Sequence, residues 1–187
     1  METESVARRP SPAKLLIPAL IGAAVALGLG VYGHVHDPTG RSIFSLVFTK
    51  TINMKAWFAT AALALVVFQL YSGMRMYGRV PFPRTMPGWW ENAHRGSGTL
   101  AFLITVPVAY HCLWALGFQD YTTRVLIHSI AGCFFFGAFA AKVVVVECRS
   151  MPGYAIPIAG GLVFAALVAV WFSSALWFFQ TFGFPQF

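Results

Sequence analysis

The chain has 187 residues, of which 58% are hydrophobic and only 10% are charged, whereas soluble domains carry about 25% charged residues. This composition excludes an ordinary soluble protein, and the apolar residues fall in runs long enough to cross a lipid bilayer. The net charge of +7 does not by itself indicate nucleic-acid binding, because membrane proteins distribute basic residues according to their topology. We therefore expect a bilayer, and no nucleic acid, as the partner.

The apolar runs predict an all-α protein, an integral membrane bundle of five transmembrane helices. Residues 1–13 are polar and contain two prolines, so we expect a disordered cytoplasmic tail before a single transmembrane domain at 14–187. The first apolar run is long for the core of a signal peptide, and no small-residue cleavage site follows it. The predicted spans are residues 15–32, 54–77, 97–118, 124–146 and 156–179.

The basic residues give the orientation of these spans. Eight of them lie in the tail and in the loops on the same side as the tail, whereas four lie on the opposite side. Cytoplasmic loops carry the excess of Lys and Arg. We therefore predict a multi-pass protein of a bacterial cytoplasmic membrane, with a cytoplasmic N-terminus and an external C-terminus.

This orientation places four of the five histidines at the external side. His34 and His36 end the first span, while His111 and His128 stand at equal depth on either side of a short external turn. His94 lies at the cytoplasmic end of the third span. Ionisable residues within spans are costly and usually functional, so His111 and His128 are the foremost candidates for a site.

Haem iron is the metal that suits buried imidazoles in this setting. No Asp or Glu lies inside a predicted span, whereas zinc and calcium sites normally use carboxylates or thiolates. We predict a haem b with His111 and His128 as axial ligands. Directly packed helices lie about 8–10 Å apart, so the third and fourth spans would have to splay. His34 with His111 is the rival pair, with His128 as a supporting residue.

Haem propionates require basic or hydroxyl groups near the membrane surface. The external basic residues Arg41, Lys55 and Arg124, together with Tyr121, are the predicted partners of the propionates.

Two families share parts of this sequence. His94-Arg95 with Gly98, then His111, then His128 with Gly132 resembles the membrane b-type cytochromes of the ferric-reductase and ascorbate-cytochrome kind. The segments HVHDPTGRSIFSLVF, MKAWFATAALAL and VAYHCLWALGF resemble an actinobacterial five-span membrane family of unknown function.

The sequence departs from the two-haem pattern of those cytochromes. They commonly carry a second histidine about four turns along the same helix, where this chain has Lys142. We therefore expect one haem, on the external side, and no second haem near His94 and Lys142.

These observations predict a haem protein that passes electrons between a membrane quinol and an external redox protein, and such a chain could be a subunit of a membrane oxidoreductase. Two alternatives remain open at this point. The chain could be a non-catalytic anchor or assembly subunit of a respiratory complex. It could also bind copper, because imidazole suits copper as well as iron.

Overall fold

The computed structural model describes residues 12–42, 44–148 and 150–184 of the chain. These residues form helices and no strands. A 3₁₀ turn at Pro12–Leu15 precedes the first helix, and π-helical turns at Cys112–Leu116 and Phe172–Leu176 follow the third and fifth. The α-helices are α1 Leu16–Val35, α2 Thr51–Met76, α3 Trp90–His111, α4 Thr123–Glu147, α5 Ala155–Trp171 and α6 Trp177–Phe182.

The predicted five-span architecture is confirmed. Five helical segments are long and apolar enough to cross a bilayer, so the chain is a multi-pass membrane protein. The third helix begins at Trp90 rather than at residue 97, because the backbone stays helical through polar residues that suit the headgroup region. Residues 1–11 of the predicted tail lie outside the described residues.

The helices do not pack in chain order. α1 packs on α4, α4 on α5, α5 on α2, and α2 on α3. Lipid tails are as apolar as the side chains, so close packing of small residues, rather than exclusion of water, holds such helices together. A Cβ added to Gly22 of α1 would lie 2.8 Å from the Gly137 carbonyl oxygen of α4. Four alanines lie in the central cluster of buried residues: Ala62, Ala101, Ala138 and Ala166.

The consecutive helices α3 and α4 are splayed. Within the described residues they do not pack directly along their length, and phenylalanine rings bridge the gap between them. Phe102 of α3 stacks on Phe139 of α4 at 4.1 Å between ring centroids and meets Phe136 edge-on. Beyond these rings the gap widens into a cavity towards the end of the bundle that the charge distribution assigns to the outside, called the external end below.

Candidate cofactor site

A cavity of about 410 Å³ occupies the external half of the bundle, between α2, α3, α4 and α5. Ligand pockets commonly have volumes of about 300–1,000 Å³ and are mostly apolar with a few polar groups. This cavity has the same character, since apolar groups form most of its wall. Its polar and thiol-bearing side chains include Lys55, Cys112, Arg124, His128, Ser129 and Cys133.

His128 presents a defined imidazole to this cavity. Its Nδ1 lies 3.2 Å from the hydroxyl oxygen of Ser173, in the π-helical turn that follows α5. The Ser173 hydroxyl donates to the carbonyl oxygen of Ala169 at 2.7 Å, so the same oxygen is left to accept a hydrogen bond from the ring. We therefore assign the proton of His128 to Nδ1.

The other ring nitrogen of His128 is available to a ligand. The Ser173 contact occupies Nδ1, and the ring lines the cavity, so Nε2 is the nitrogen that a ligand would use. Gly132 lies one helical turn further along α4 and also lines the cavity. Among described residues, no atom of a neighbouring element lies within 4 Å of the position that a Cβ of Gly132 would take. A flat group can therefore lie close to the α4 backbone beside His128.

Three of the predicted propionate partners, Lys55, Arg124 and Tyr121, line this cavity. Arg124 donates from Nη1 to the carbonyl oxygen of Ser173 at 2.6 Å, and its guanidinium lies 3.8 Å from the ring centroid of Trp177. Lys55 places Nζ 3.7 Å from the Cys112 sulfur. Both cations thus lie near the external end of the cavity, because α2 and α4 both begin there.

His111 does not share the cavity of His128. It is only 7% exposed and lines a second cavity, of about 660 Å³, beside the first turn of α2. The sequence places the two imidazoles at equal depth but does not give the direction in which each points. The structure therefore does not bring the predicted pair into one cavity, and bis-histidine ligation by His111 and His128 stays a prediction.

The remaining external candidates lie away from both cavities. His34 is exposed at the end of α1 with its ring edge-on to Phe118, so the rival pair with His111 is not brought together either. Arg41 is exposed in the connection between α1 and α2. His36 contacts the carbonyl oxygen of Trp114 through Nε2 at 3.1 Å, which ties the end of α1 to the turn after α3.

A model of one protein family matches residues 15–186, and that family is described as one of unknown function, DUF6529. The chain belongs to this family. Membership in DUF6529 agrees with the resemblance to a five-span membrane family of unknown function, while the resemblance to b-type cytochromes stays a prediction. No curated protein matches the chain, and no solved structure matches it.

At the opposite end of the bundle of this DUF6529 chain, His94 ties helices together. Its Nδ1 lies 2.7 Å from the Ser72 hydroxyl of α2, and its carbonyl accepts from the Gln69 side chain. A Cβ on Gly98 would lie 2.9 Å from Gln69 Oε1. The glycine after His94 therefore makes room for a side chain, whereas Gly132 after His128 opens onto a cavity.

Sequence reasoning missed Ser173 and assigned no ligand role to Cys112 and Cys133, both of which line the cavity. The one signal for Ser173 was a pair of hydroxyl residues, Ser173 and Ser174, inside an otherwise apolar span. Hydroxyl groups in lipid-buried helices normally bond to their own backbone, and both serines do so. Only the tertiary structure shows that Ser173 also meets His128.

Proposed function

We propose that this chain is a haem b electron-transfer protein of the membrane, with His128 Nε2 as an axial ligand of the iron. The observation that carries the proposal is the His128 ring itself. Its Nδ1 contacts the Ser173 hydroxyl, and its ring lines an apolar cavity, where Nε2 would be the nitrogen that binds the iron. Metal-ligating histidines almost always donate their second ring N–H in this way.

The lining of the cavity supports a porphyrin as the occupant. Haem presents an apolar macrocycle and anionic propionates, and the protein tunes it through ligands, burial and hydrogen bonding. The apolar wall would exclude water from the macrocycle, and Gly132 would let it approach α4. Lys55 and Arg124 would bind the propionates at the external end. The splay of α3 and α4 supplies the space that directly packed helices would deny.

Each residue of the site then has a stated task. A hydrogen bond to Ser173 keeps the proton of His128 on Nδ1 and holds the ring in one orientation. The same bond makes Nε2 donate electron density to the iron more strongly. The Ser173 carbonyl meanwhile orients Arg124. The bound group supplies reversible one-electron chemistry, and the protein sets its potential through this ligand and its surroundings.

The position of the cavity favours exchange of electrons at the external surface. Its lining continues to Tyr121, which is 72% exposed, so a partner at that surface could come close to the bound group. We propose a membrane quinol and an external redox protein as the two exchange partners, in a bacterial cytoplasmic membrane. An anchoring subunit of a respiratory complex is the alternative, and it would need no cofactor in the cavity.

The copper alternative has less structural support. Among described residues, no three His, Cys, Asp or Glu side chains are grouped closely enough to hold a metal ion together. His34 and His36 of the HVHD segment also diverge, since His36 packs between Tyr32 and Trp114 whereas His34 faces Phe118.

The test is metal and porphyrin analysis of the purified full-length protein, produced in a bacterial host with haem supply. Iron with an equivalent amount of extractable protohaem supports the proposal. Copper without porphyrin supports the copper alternative, and a protein that takes up neither, even after haemin is added, contradicts the proposal and favours the anchoring role.

A further inference from the structure

Lys142 of α4 is a charged residue on the buried face of a membrane-spanning helix. Phe135 and Ala138 are 4% and 7% exposed, and Lys142 follows them by seven and four residues, so all three share one face of α4. Lys142 lies close to the end of α4 at Glu147, in the half of the bundle opposite the two cavities. Charged residues inside a membrane are costly, and they normally pair with a partner or mark a functional site.

Lys142 has no counter-charge in the part of the chain that the structure describes. None of the described carboxylates forms an ion pair with it, and no described atom forms a hydrogen bond with its Nζ. The surrounding charge is basic instead, because Lys142 and Arg95 both lie close enough for their charges to act on the His94 ring. That ring contacts the Ser72 hydroxyl through Nδ1. Like charges in an apolar region repel one another unless an anion lies between them, so the charge balance favours an anionic partner.

The gap between α3 and α4 places Arg95 and Lys142 on the same side of a pair of stacked rings. Phe102 of α3 stacks on Phe139 of α4, which defines the faces that the two helices turn towards each other. Lys142 follows Phe139 by three residues, about 5 Å along α4, and Arg95 precedes Phe102 by seven residues, about 10 Å along α3. The two cations therefore follow one another along the gap, with Lys142 deeper in the membrane and the exposed Arg95 nearer its surface.

A phospholipid suits this gap better than a dissolved anion does. Lys142 belongs to an apolar span, so a dissolved ion would have to leave water to reach it. A lipid already holds its phosphate at the membrane surface and its acyl chains beside the helices. Because α3 and α4 do not pack directly along their length within the described residues, a headgroup can enter between them. Basic sites between transmembrane helices recognise anionic lipid headgroups in this way.

We propose that the gap between α3 and α4 binds one anionic phospholipid from the leaflet at this end of the bundle. Arg95 and Lys142 bind the phosphate oxygens, and an acyl chain lies along the rings of Phe102 and Phe139. The lipid thus supplies the negative charge that the described protein groups do not give to Lys142. The site is separate from the proposed haem site, since neither Arg95 nor Lys142 lines either cavity.

The experiment measures lipid binding by the purified full-length protein in detergent. Native mass spectrometry counts the bound lipids as phosphatidylglycerol is added to delipidated protein. Phosphatidylcholine with the same acyl chains is the comparison, because its headgroup has no net charge. We expect one phosphatidylglycerol to bind saturably and about tenfold more tightly than phosphatidylcholine, the size of one charge-assisted hydrogen bond.

The matched variants are Lys142→Gln, Arg95→Gln and Lys14→Gln. Lys14 is an exposed cation at the same end of the bundle, where it bonds to the Ser150 carbonyl. We expect Lys142→Gln and Arg95→Gln each to weaken phosphatidylglycerol binding about tenfold, and Lys14→Gln to bind as wild-type protein does. Far-ultraviolet circular dichroism checks folding, and the exposed Arg95→Gln decides alone if Lys142→Gln does not fold.

Two results overturn this proposal. One is wild-type protein that binds phosphatidylglycerol no more tightly than phosphatidylcholine, which would mean that Lys142 only extends towards the bulk headgroups. The other is binding that is unchanged in Lys142→Gln or falls equally in Lys14→Gln, which would indicate a diffuse attraction to the surface charge. Haem content measured on the same samples keeps the two proposals apart, because neither Lys142 nor Arg95 lines the cavity near His128.

Discussion

At the scale of single residues, His128 differs from the other histidines in the surroundings of its ring. His94 and His128 both contact a serine hydroxyl through Nδ1, but only His128 lines the apolar cavity. The sequence identified His128, Lys55 and Arg124 because cations and imidazoles are rare in apolar spans. The sequence could not show that His128 and His111 point into different cavities. Counting residues along a helix gives the depth of each imidazole, but the direction in which it points depends on how the helices pack.

Removing the Ser173 hydroxyl tests the hydrogen bond to His128. We expect Ser173→Ala to keep its haem but to raise the midpoint potential by about 40 mV, the one-electron equivalent of about 1 kcal/mol. The reason is that an imidazole without this acceptor donates less charge and stabilises the ferric state less. Redox titration followed by absorbance measures the shift.

Ser174→Ala is the control for this prediction. Ser174 also bonds to its own helix, through the Val170 carbonyl, but has no imidazole partner in the described structure. An equal shift in both variants would show that the Ser173 contact with His128 has no special role.

At the scale of the helices, one face of α4 packs tightly against α1, and another face of α4 borders the cavity. Gly22 and Gly137 let α1 and α4 approach so closely that a Cβ added to either glycine would collide with the backbone oxygen of the other. Gly132, in contrast, borders the cavity. Composition and run length were sufficient to predict five helices with nearly correct bounds. They could not predict that α4 packs on α1 and α5 rather than on α3. Which helices pack together depends on how the small and bulky side chains of their faces fit one another.

Filling the cavity from α4 tests its role as a cofactor site. We expect Gly132→Leu to fold normally, because the added side chain meets open space, and to lose most of its haem, because that space is where the macrocycle would lie. Haem content per protein, from the pyridine haemochrome spectrum, gives the result.

Gly161→Leu is the matched control, since Gly161 of α5 also has open surroundings but does not line the cavity. Normal haem content in Gly132→Leu would place the cofactor elsewhere.

The contact between α1 and α4 makes a separate prediction about stability. We expect Gly22→Val to destabilise the bundle by about 1–3 kcal/mol, the usual cost of overpacking, because its Cβ would lie 2.8 Å from a backbone carbonyl oxygen. Gly28→Val, on the open surface of the same helix, should change stability much less. Thermal unfolding in detergent compares the two, and equal losses would contradict the close crossing.

At the scale of the whole molecule, the two cavities lie together at one end of the bundle. The cavity near His128 is mostly apolar, whereas the one near His111 is bordered by two lysines and several hydroxyl side chains. The charge distribution predicts that this end faces outwards, and the exchange of electrons with an external partner depends on that orientation. The sequence alone predicted the orientation and the gathering of histidines, but not their division between two cavities.

The cysteines provide a direct test of orientation. Cys148 is exposed between α4 and α5, at the end predicted to be cytoplasmic, while Cys112 and Cys133 are half-buried. A membrane-impermeant maleimide should therefore label Cys148 in inside-out vesicles and not in right-side-out vesicles. Tyr121→Cys in a Cys148→Ser background, at a site 72% exposed, should show the opposite pattern. Labelling of Cys148 from the outside would reverse the predicted topology.

The absorbance spectrum of His128→Gly, with and without added imidazole, tests the central claim most directly. If His128 Nε2 binds the iron, the reduced-minus-oxidised haem signal of wild-type protein falls sharply in His128→Gly, returns with imidazole, and persists in His111→Gly and His34→Gly. An unchanged signal in His128→Gly, or no haem signal in haem-supplied wild-type protein, would contradict the account.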